Sequence, residues 1–374
     1  MAAKIPLSRV YQSETIDRRI LDVVKGGNYI LGPECRAFEQ ELAAWFGVPH
    51  CVLSSSWTAA VHLLHLAQLQ FGHLKAGDEI LVPSLTAFPS IEPMIHCGIR
   101  PVFCDIDDTY TIDPADARKR ITPRTKGILP VHLYGRPANI DVFQALAQEH
   151  GLFMIEDCAQ SHGARWRGRR AGSYGEHAAL SFYPSKNLTV YGDGGAILTH
   201  DAELAKRVGM LRNHGRKDKY LHERVGFNLR FNEINAAVGR EQLKVLDDLN
   251  GGRRRAAEWY RRELAGVKNV TLPPTDKDGE TETVYHMFVI RLDSNDRREM
   301  LARHLKEQGI ESGVHYPVPN HQQPAILDLY GPAPTLPKTE DYVKRILSLP
   351  MFPAISEAEV KTVADAIKQF MVKA

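Results

Sequence analysis

The chain reads as an α/β protein: a large first unit built on a mainly parallel seven-stranded sheet, then a smaller α+β unit. Three observations predict this. Between about residue 50 and residue 200, seven short, β-rich, nearly all-apolar runs alternate with longer helical patterns. Apolar strands separated by helices belong to a sheet covered on both faces, which favours parallel pairing. From about residue 202 the pattern turns helical and then mixed. At 374 residues the chain is long enough for one large core and a second, smaller one.

Taken in order, the strand candidates are CVLSS (51–55), EILVPS (79–84), RPVFCDI (100–106), GILPVHL (127–133), FMIEDCA (153–159), AALSFY (178–183) and GAILTH (195–200). Helical segments between them include WTAAVHLLHLAQLQ and NIDVFQALAQEHG. In the second, Asp141 is placed to cap the N-terminus and Gly151 to stop the helix. Residues 232–265 form long amphipathic helices, interrupted near Gly251-Gly252. KNVTLPPTDKDGETET is loop-like. YHMFVIRLD, a helix at 297–308, ESGVHYPVP and a terminal helix at 356–371 complete the small unit. The boundary falls near residue 250, giving domains 1–250 and 251–374.

Composition bounds the partners. Hydrophobic content of 43% and charged content of 25% are ordinary for a soluble globular chain. A net charge of +2 offers no bulk attraction for nucleic acid or an anionic membrane. Any anionic ligand must be held locally. The five cysteines, Cys35, Cys51, Cys97, Cys104 and Cys158, form no CxxC pair and mostly sit in apolar runs. They read as reduced, buried thiols of a cytoplasmic protein. MAAKIPLSRVYQSE carries no apolar signal core, and no apolar stretch reaches about 18 residues.

Ligands of parallel sheets gather beyond the carboxyl ends of the strands, and several of those ends carry unusual residues. After the first comes Ser54-Ser55-Ser56-Trp57-Thr58, opening a helix. Its free N–H groups and hydroxyls suit a phosphate, or simply cap the helix. After FMIED stand Glu156, Asp157 and Gln160. The two carboxylates fit an ion pair or a catalytic role; no set with metal-ligand spacing stands nearby, and His62 and His65 on a helix read as non-ligands. After AALSFY comes Lys186, the sole lysine between Lys126 and Lys206, followed by Gly192-Asp193-Gly194-Gly195. It is either a surface lysine or an amine whose burial makes it a nucleophile toward carbonyls. GxGxxG, P-loop and GxSxG patterns are absent. A phosphate-binding helix start, a carboxylate and a lysine at one sheet edge match what pyridoxal 5′-phosphate requires.

At these residues the sequence resembles the DegT/DnrJ/EryC1/StrS family of sugar aminotransferases, of the fold-type I, aspartate aminotransferase-like architecture. The resemblance runs through GGNYILGPECRAFEQELAAWFG, VPSLTAF, PVFCDID, PVHLYGRPANID, EDCAQSHGA, SFYPSKNLTVYGDGGAILT, GFNLRFNEINAAVGREQLKVLD and ESGVHYP. It implies that Lys186 holds the cofactor as a Schiff base and shuttles a proton between the donor's Cα and the cofactor. It implies Asp157 as partner of the pyridine nitrogen, Gln160 near the ring hydroxyl, and Ser181 as a phosphate ligand. Ser56, Trp57 and Thr58 fall on the phosphate turn. Asn228 matches an asparagine reaching the phosphate from a second subunit, which makes the protein a homodimer. His315 and Tyr316 match a segment near the sugar, and Arg212, Arg216 and Arg230 face either a diphosphate or neighbouring glutamates. Arg253-Arg254-Arg255 reads as a solvated helix face.

Two departures stand out. Trp57 occupies a position where the family commonly has glycine. Ala87 stands where many members stack an aromatic on the ring, leaving Phe88 next door as the candidate. Pro89 and Pro93 should break the helix that begins there.

The activity so implied is transfer of an amino group from L-glutamate or glutamine to a keto group, at C3, of a nucleotide-linked deoxysugar. The cofactor passes through its pyridoxamine 5′-phosphate form. Alternatives are a C4 or aminocyclitol aminotransferase, a dehydratase (which would carry histidine at the Lys186 position), an oxidoreductase, and a non-catalytic cofactor-binding sensor.

Overall fold

A computed structural model describes residues 5–276 and 279–373. Met1–Lys4 of the N-terminal stretch and Lys277 and Asp278 of the 268–283 loop lie outside them. All seven expected strands form and join one sheet: β1 (His50–Ser54), β2 (Glu79–Pro83), β3 (Arg100–Cys104), β4 (Thr125–Ile128), β5 (Phe153–Asp157), β6 (His177–Ser181) and β7 (Gly195–Thr199). Their spatial order is β1-β7-β6-β5-β4-β2-β3. Only β7 runs against its neighbours, pairing antiparallel with both β1 and β6. Strands β2, β6 and β7 are buried at every residue, as continuous apolar runs demand of a sheet covered on both faces.

The helices cover that sheet. Trp57–Phe71 and Ala202–Leu211 pack into one apolar cluster with Ile80, Ile155 and Ile197. Pro33–Phe46 and the first turns of Glu233–Leu264 cover the neighbouring stretch through Phe38, Phe182 and Phe231. Helix Ile140–His150 starts from Asn139, which makes no side-chain cap. The expected cap, Asp141, instead accepts from Trp166 Nε1 at 2.8 Å and pairs with Arg167. Gly151 ends that helix at φ 63°, as expected. Pro89 and Pro93 leave only a short 3₁₀ turn, Phe88–Ser90, and one stub, Glu92–His96.

The smaller unit is a three-stranded antiparallel sheet, Val270–Thr271, Phe288–Leu292 and Ile346–Leu349, with helices Asn295–Glu307 and Glu357–Lys373. Its core gathers Tyr260, Phe288, Leu305 and Ile367, and it takes in Ile5 from the far end of the chain. Among the described residues no helix is long and apolar enough to cross a membrane.

Three expectations need correction here. The helix over Gly251-Gly252 is unbroken and runs from Glu233 to Leu264. The boundary drawn at residue 250 therefore lies inside a helix rather than in a linker. The reason is visible at Gly252, where a Cβ would overlap the carbonyl of Pro353. Glycine there permits close packing of the two chain segments instead of ending the helix. Arg253, expected on a solvated face, is 4% exposed and donates to the carbonyls of Tyr285, His286 and Met351 at 3.1–3.3 Å. Burial with no carboxylate beside it pushes its guanidinium down to about 10. Arg254 does reach outward, to Glu282 at 3.1 Å.

The two glycines should therefore respond oppositely to alanine. Around Gly251 the nearest atom to a new Cβ is Arg255 Nη1 at 3.6 Å, so Gly251→Ala should stabilise by about 0.5–1 kcal/mol. Gly252→Ala should destabilise by about 1–3 kcal/mol through overpacking. Urea unfolding of the two variants would separate a close-approach glycine from a helix breaker.

Candidate active site

The site grows from neighbouring parallel strands. Pairing of β5 with β6 sets Asp157 opposite Ala179. Ser181 ends β6, and the loop beyond it carries Lys186, whose N–H bonds the carbonyl of Tyr183 at 2.9 Å. Gly195 begins β7 between the last residues of β1 and β6, Ser54 and Ser181. A Cβ on Gly195 would overlap the backbone of Ser56 and Trp57. That closeness brings the start of helix Trp57–Phe71 to the same edge.

These groups line one cavity of about 390 Å³. Ser56, Trp57, Thr58, Asp157, Gln160, Ser181, Lys186, His315 and Tyr316 all border it. So do residues that sequence reasoning missed: Thr86, Pro89, Ser90, Val131, Tyr183, Ser185, Asp193, His286 and Met287. Most of these lie far along the chain from the groups they serve. Ser90, which meets Asp157 across 67 residues, left no local signal.

Asp157 is buried and held by two donors. Ser90 Oγ donates to Oδ2 at 2.9 Å, and the Ala159 N–H donates to Oδ1 at 3.0 Å. Desolvation raises its pKa, against the pull of those donors and the positive charge of Lys186. Its neighbour Glu156 points to the opposite face, as strand alternation requires. There it accepts from His132 Nε2 at 3.0 Å and from the N–H groups of Gly172, Tyr174 and Gly175 at 2.7–2.8 Å. Ligand atoms of His132, Glu156 and Cys158 lie within 4.8 Å of one another. With four donors already on its oxygens, Glu156 is committed to holding that loop.

Lys186 is half-buried and borders the cavity. Among the described residues no ion pair or side-chain hydrogen bond holds its amine. Desolvation lowers its pKa to about 8, and the charge of Asp157 opposes that shift. About a tenth of it is thus a neutral, nucleophilic amine at pH 7, far more than of a free lysine.

The helix start borders the same cavity. Ser56 caps it, accepting from the Ala59 N–H at 3.1 Å. Unpaired N–H groups and the helix dipole favour a phosphate there. Trp57 needs no glycine to offer its N–H. Its indole, 5% exposed, packs into the main core, with Nε1 buried and unpartnered. Gln160 Oε1 accepts from the Tyr134 N–H at 2.7 Å, and its Nε2 donates to Tyr316 Oη at 3.2 Å. Tyr134 Oη in turn donates to the His315 carbonyl, and His315 Nδ1 meets Ser348 Oγ at 2.9 Å.

Four candidate residues stand elsewhere. Phe88 does not border the cavity. Its side chain packs against the main core, while Ala87 and Pro89 on either side of it line the site. The 3₁₀ turn sends consecutive side chains in different directions, so adjacency in sequence did not carry the ring inward. Asn228 is exposed and bridged to Asn213, away from the cavity of its own chain. Arg230 bonds Asn213 Oδ1 and His214 Nε2, each at 3.3 Å. Arg212 is tied to Glu39 at 2.6 Å, the glutamate alternative.

Known proteins resemble this chain in sequence and fold. The family model of the DegT/DnrJ/EryC1/StrS aminotransferase family covers residues 10–368. The chain belongs to this family. It is 44% identical to a dTDP-3-amino-3,4,6-trideoxy-α-D-glucose transaminase of Streptomyces venezuelae, over 95% of this chain and 91% of that one. It is 43% identical to the erythromycin biosynthesis sensory transduction protein EryC1 of Saccharopolyspora erythraea, over 94% of each. The crystal structure of S. venezuelae DesV in complex with a ketimine intermediate superposes with a TM-score of 0.92, at 41% identity and 99% coverage of both chains. The fold is that of fold-type I pyridoxal phosphate enzymes, and the family's cofactor is pyridoxal 5′-phosphate.

The residues present fit that cofactor. A free amine, a buried carboxylate with room for a cationic partner, and a helix start held at the same edge all open on one space. The lowered lysine carries a pH signature. Stripped protein should capture added pyridoxal phosphate at a rate that rises with pH around a midpoint of about 8, not the roughly 10.4 of a free lysine. Stopped-flow absorbance measures it, and a midpoint near 10 would contradict a desolvated amine.

Proposed function

We propose that this family member moves an amino group from L-glutamate or glutamine to the C3 keto group of a nucleotide-linked deoxysugar. The observation that carries the reading is Lys186 and Asp157 bordering one desolvated cavity beside the Ser56–Thr58 helix start. Position C3 rests on the S. venezuelae relative, whose name specifies a 3-amino sugar. C4, aminocyclitol, dehydratase and sensor readings have less support. Lys186 is a lysine rather than a histidine, and its amine is unencumbered.

When bound, pyridoxal phosphate supplies an aldehyde that exchanges amines and a ring that accepts electrons. This chain's residues do the rest. The N–H groups at Ser56–Thr58 and the Ser181 hydroxyl bind the phosphate. Asp157, aimed by Ser90 and the Ala159 N–H, keeps the pyridine nitrogen protonated. Gln160 orients the ring hydroxyl, with Tyr134 and Tyr316 fixing its amide. Lys186 Nζ would hold the cofactor, and the same amine would serve as the acid–base group for the donor's Cα proton. His315 and Tyr316 border the space for the sugar.

The working form is a cytoplasmic homodimer in which Asn228 reaches the phosphate of the other subunit. Its exposure, and that of Tyr220, Leu221, Val225 and Phe227 on the same excursion, support a partner surface. Arg230 sits beside it and would face the substrate from there.

Lys186→Ala should abolish turnover and the visible absorbance of the bound cofactor. Asp157→Asn should leave binding but lower turnover by at least about 10²-fold, since an amide no longer holds the ring nitrogen protonated. The substrate is tested by mixing the pyridoxamine form with 3-keto and 4-keto nucleotide sugars. Return of the aldehyde spectrum with a 3-keto sugar is expected, and its return with 4-keto sugars alone would overturn the C3 assignment.

A further inference from the structure

Behind Lys186 lies a directed hydrogen-bond chain that the reaction itself does not use. Asn187, next to the lysine, is 4% exposed. Its Nδ2 donates to Asn250 Oδ1 at 2.8 Å and to the Val284 carbonyl at 3.1 Å. Both of its N–H groups are therefore spent, and the amide can face only one way. Its Oδ1 lies 3.1 Å from His286 Nδ1 and can only accept. Neutral His286 must then carry its proton on Nδ1, leaving Nε2 as a bare acceptor, buried and unpartnered. At the other end, Asn250 Nδ2 donates to the His162 carbonyl at 2.8 Å. A Cβ on Gly163 would sit 2.6 Å from that same nitrogen, so glycine is needed to seat it.

The chain links three parts of the protein. His286 comes from the smaller unit, Asn250 from the long helix, and His162 from the segment that also carries Asp157 and Gln160. We propose that His286 is a positioning residue: its Nδ1–H fixes Asn187 and so sets the Lys186 loop in register with Asp157. This rests on the reading that Lys186 holds the cofactor.

The surroundings keep His286 neutral. Burial drives its pKa well below the usual range, and the facing Lys186, Arg253, His315 and His162 push it the same way. The imidazole therefore keeps one tautomer across the working pH range and adds no charge beside the amine.

Two substitutions of similar polarity separate this role from simple packing. The amide of His286→Asn places an N–H where Nδ1 stands. The longer His286→Gln places it near Nε2, away from Asn187. Wild type, loaded with cofactor, is titrated first by visible absorbance; a protein that takes up no cofactor would overturn the underlying reading instead. Given loaded wild type, His286→Asn should keep its absorbance midpoint and cofactor affinity. His286→Gln should free the loop, admit water to the Lys186 nitrogen and favour its protonated form. Its midpoint should rise by about 0.5–1 pH unit, and cofactor affinity should fall about tenfold. Indistinguishable titrations of His286→Gln and wild type would overturn the proposal, as would equal damage by Asn and Gln.

Discussion

The site depends on keeping an amine and a carboxylate in the same poorly solvated space without letting them neutralise each other. Burial works against both charges, lowering Lys186 to about 8 and raising Asp157. Their mutual attraction opposes both shifts, yet they form no direct ion pair among the described residues. A closed pair would quench the nucleophile. Held apart, each remains available: the amine for a carbonyl, the carboxylate for a cation. A ligand that brings an aldehyde and a basic ring nitrogen satisfies both at once.

Backbone pairing produces that separation. Parallel strands β5 and β6 end at one edge, so the groups just beyond them share a space while standing on different strands. Strand alternation then divides the labour of two adjacent acids. Asp157 faces the cavity, and Glu156 turns the other way to collect three backbone N–H groups and His132. Charge-assisted bonds of that kind are strong and directional, and they brace the 172–175 loop behind the catalytic edge. The reversed strand β7 adds a second constraint. It begins with a glycine small enough to touch the start of helix Trp57–Phe71, bringing that helix start to the cavity edge that Lys186 borders.

The smaller unit is part of the site rather than an appendage. His286, Met287, His315 and Tyr316 come from it and border the cavity. The unbroken Glu233–Leu264 helix packs under both cores, with Leu246 in one and Tyr260 in the other. Buried Arg253, bonded to the carbonyls of Tyr285, His286 and Met351, locks the helix to that unit.

The sequence by itself determined the seven strands, the mainly parallel sheet and the chemistry-bearing residues at its edge. Periodicity and apolar runs are local properties, and the lysine, acid and helix start lie next to strand ends where local reading applies. Family motifs added the cofactor. Tertiary structure alone decided the rest. It turned Phe88 and the Trp57 indole into the core, and it continued the helix through Gly251-Gly252. It also buried Arg253, placed Ser90 on Asp157, and set His286 against Asn187. These outcomes depend on contacts between residues tens to hundreds of positions apart. No local pattern encodes which glycine meets a carbonyl or which serine meets an acid, because the partner exists only once the chain has folded.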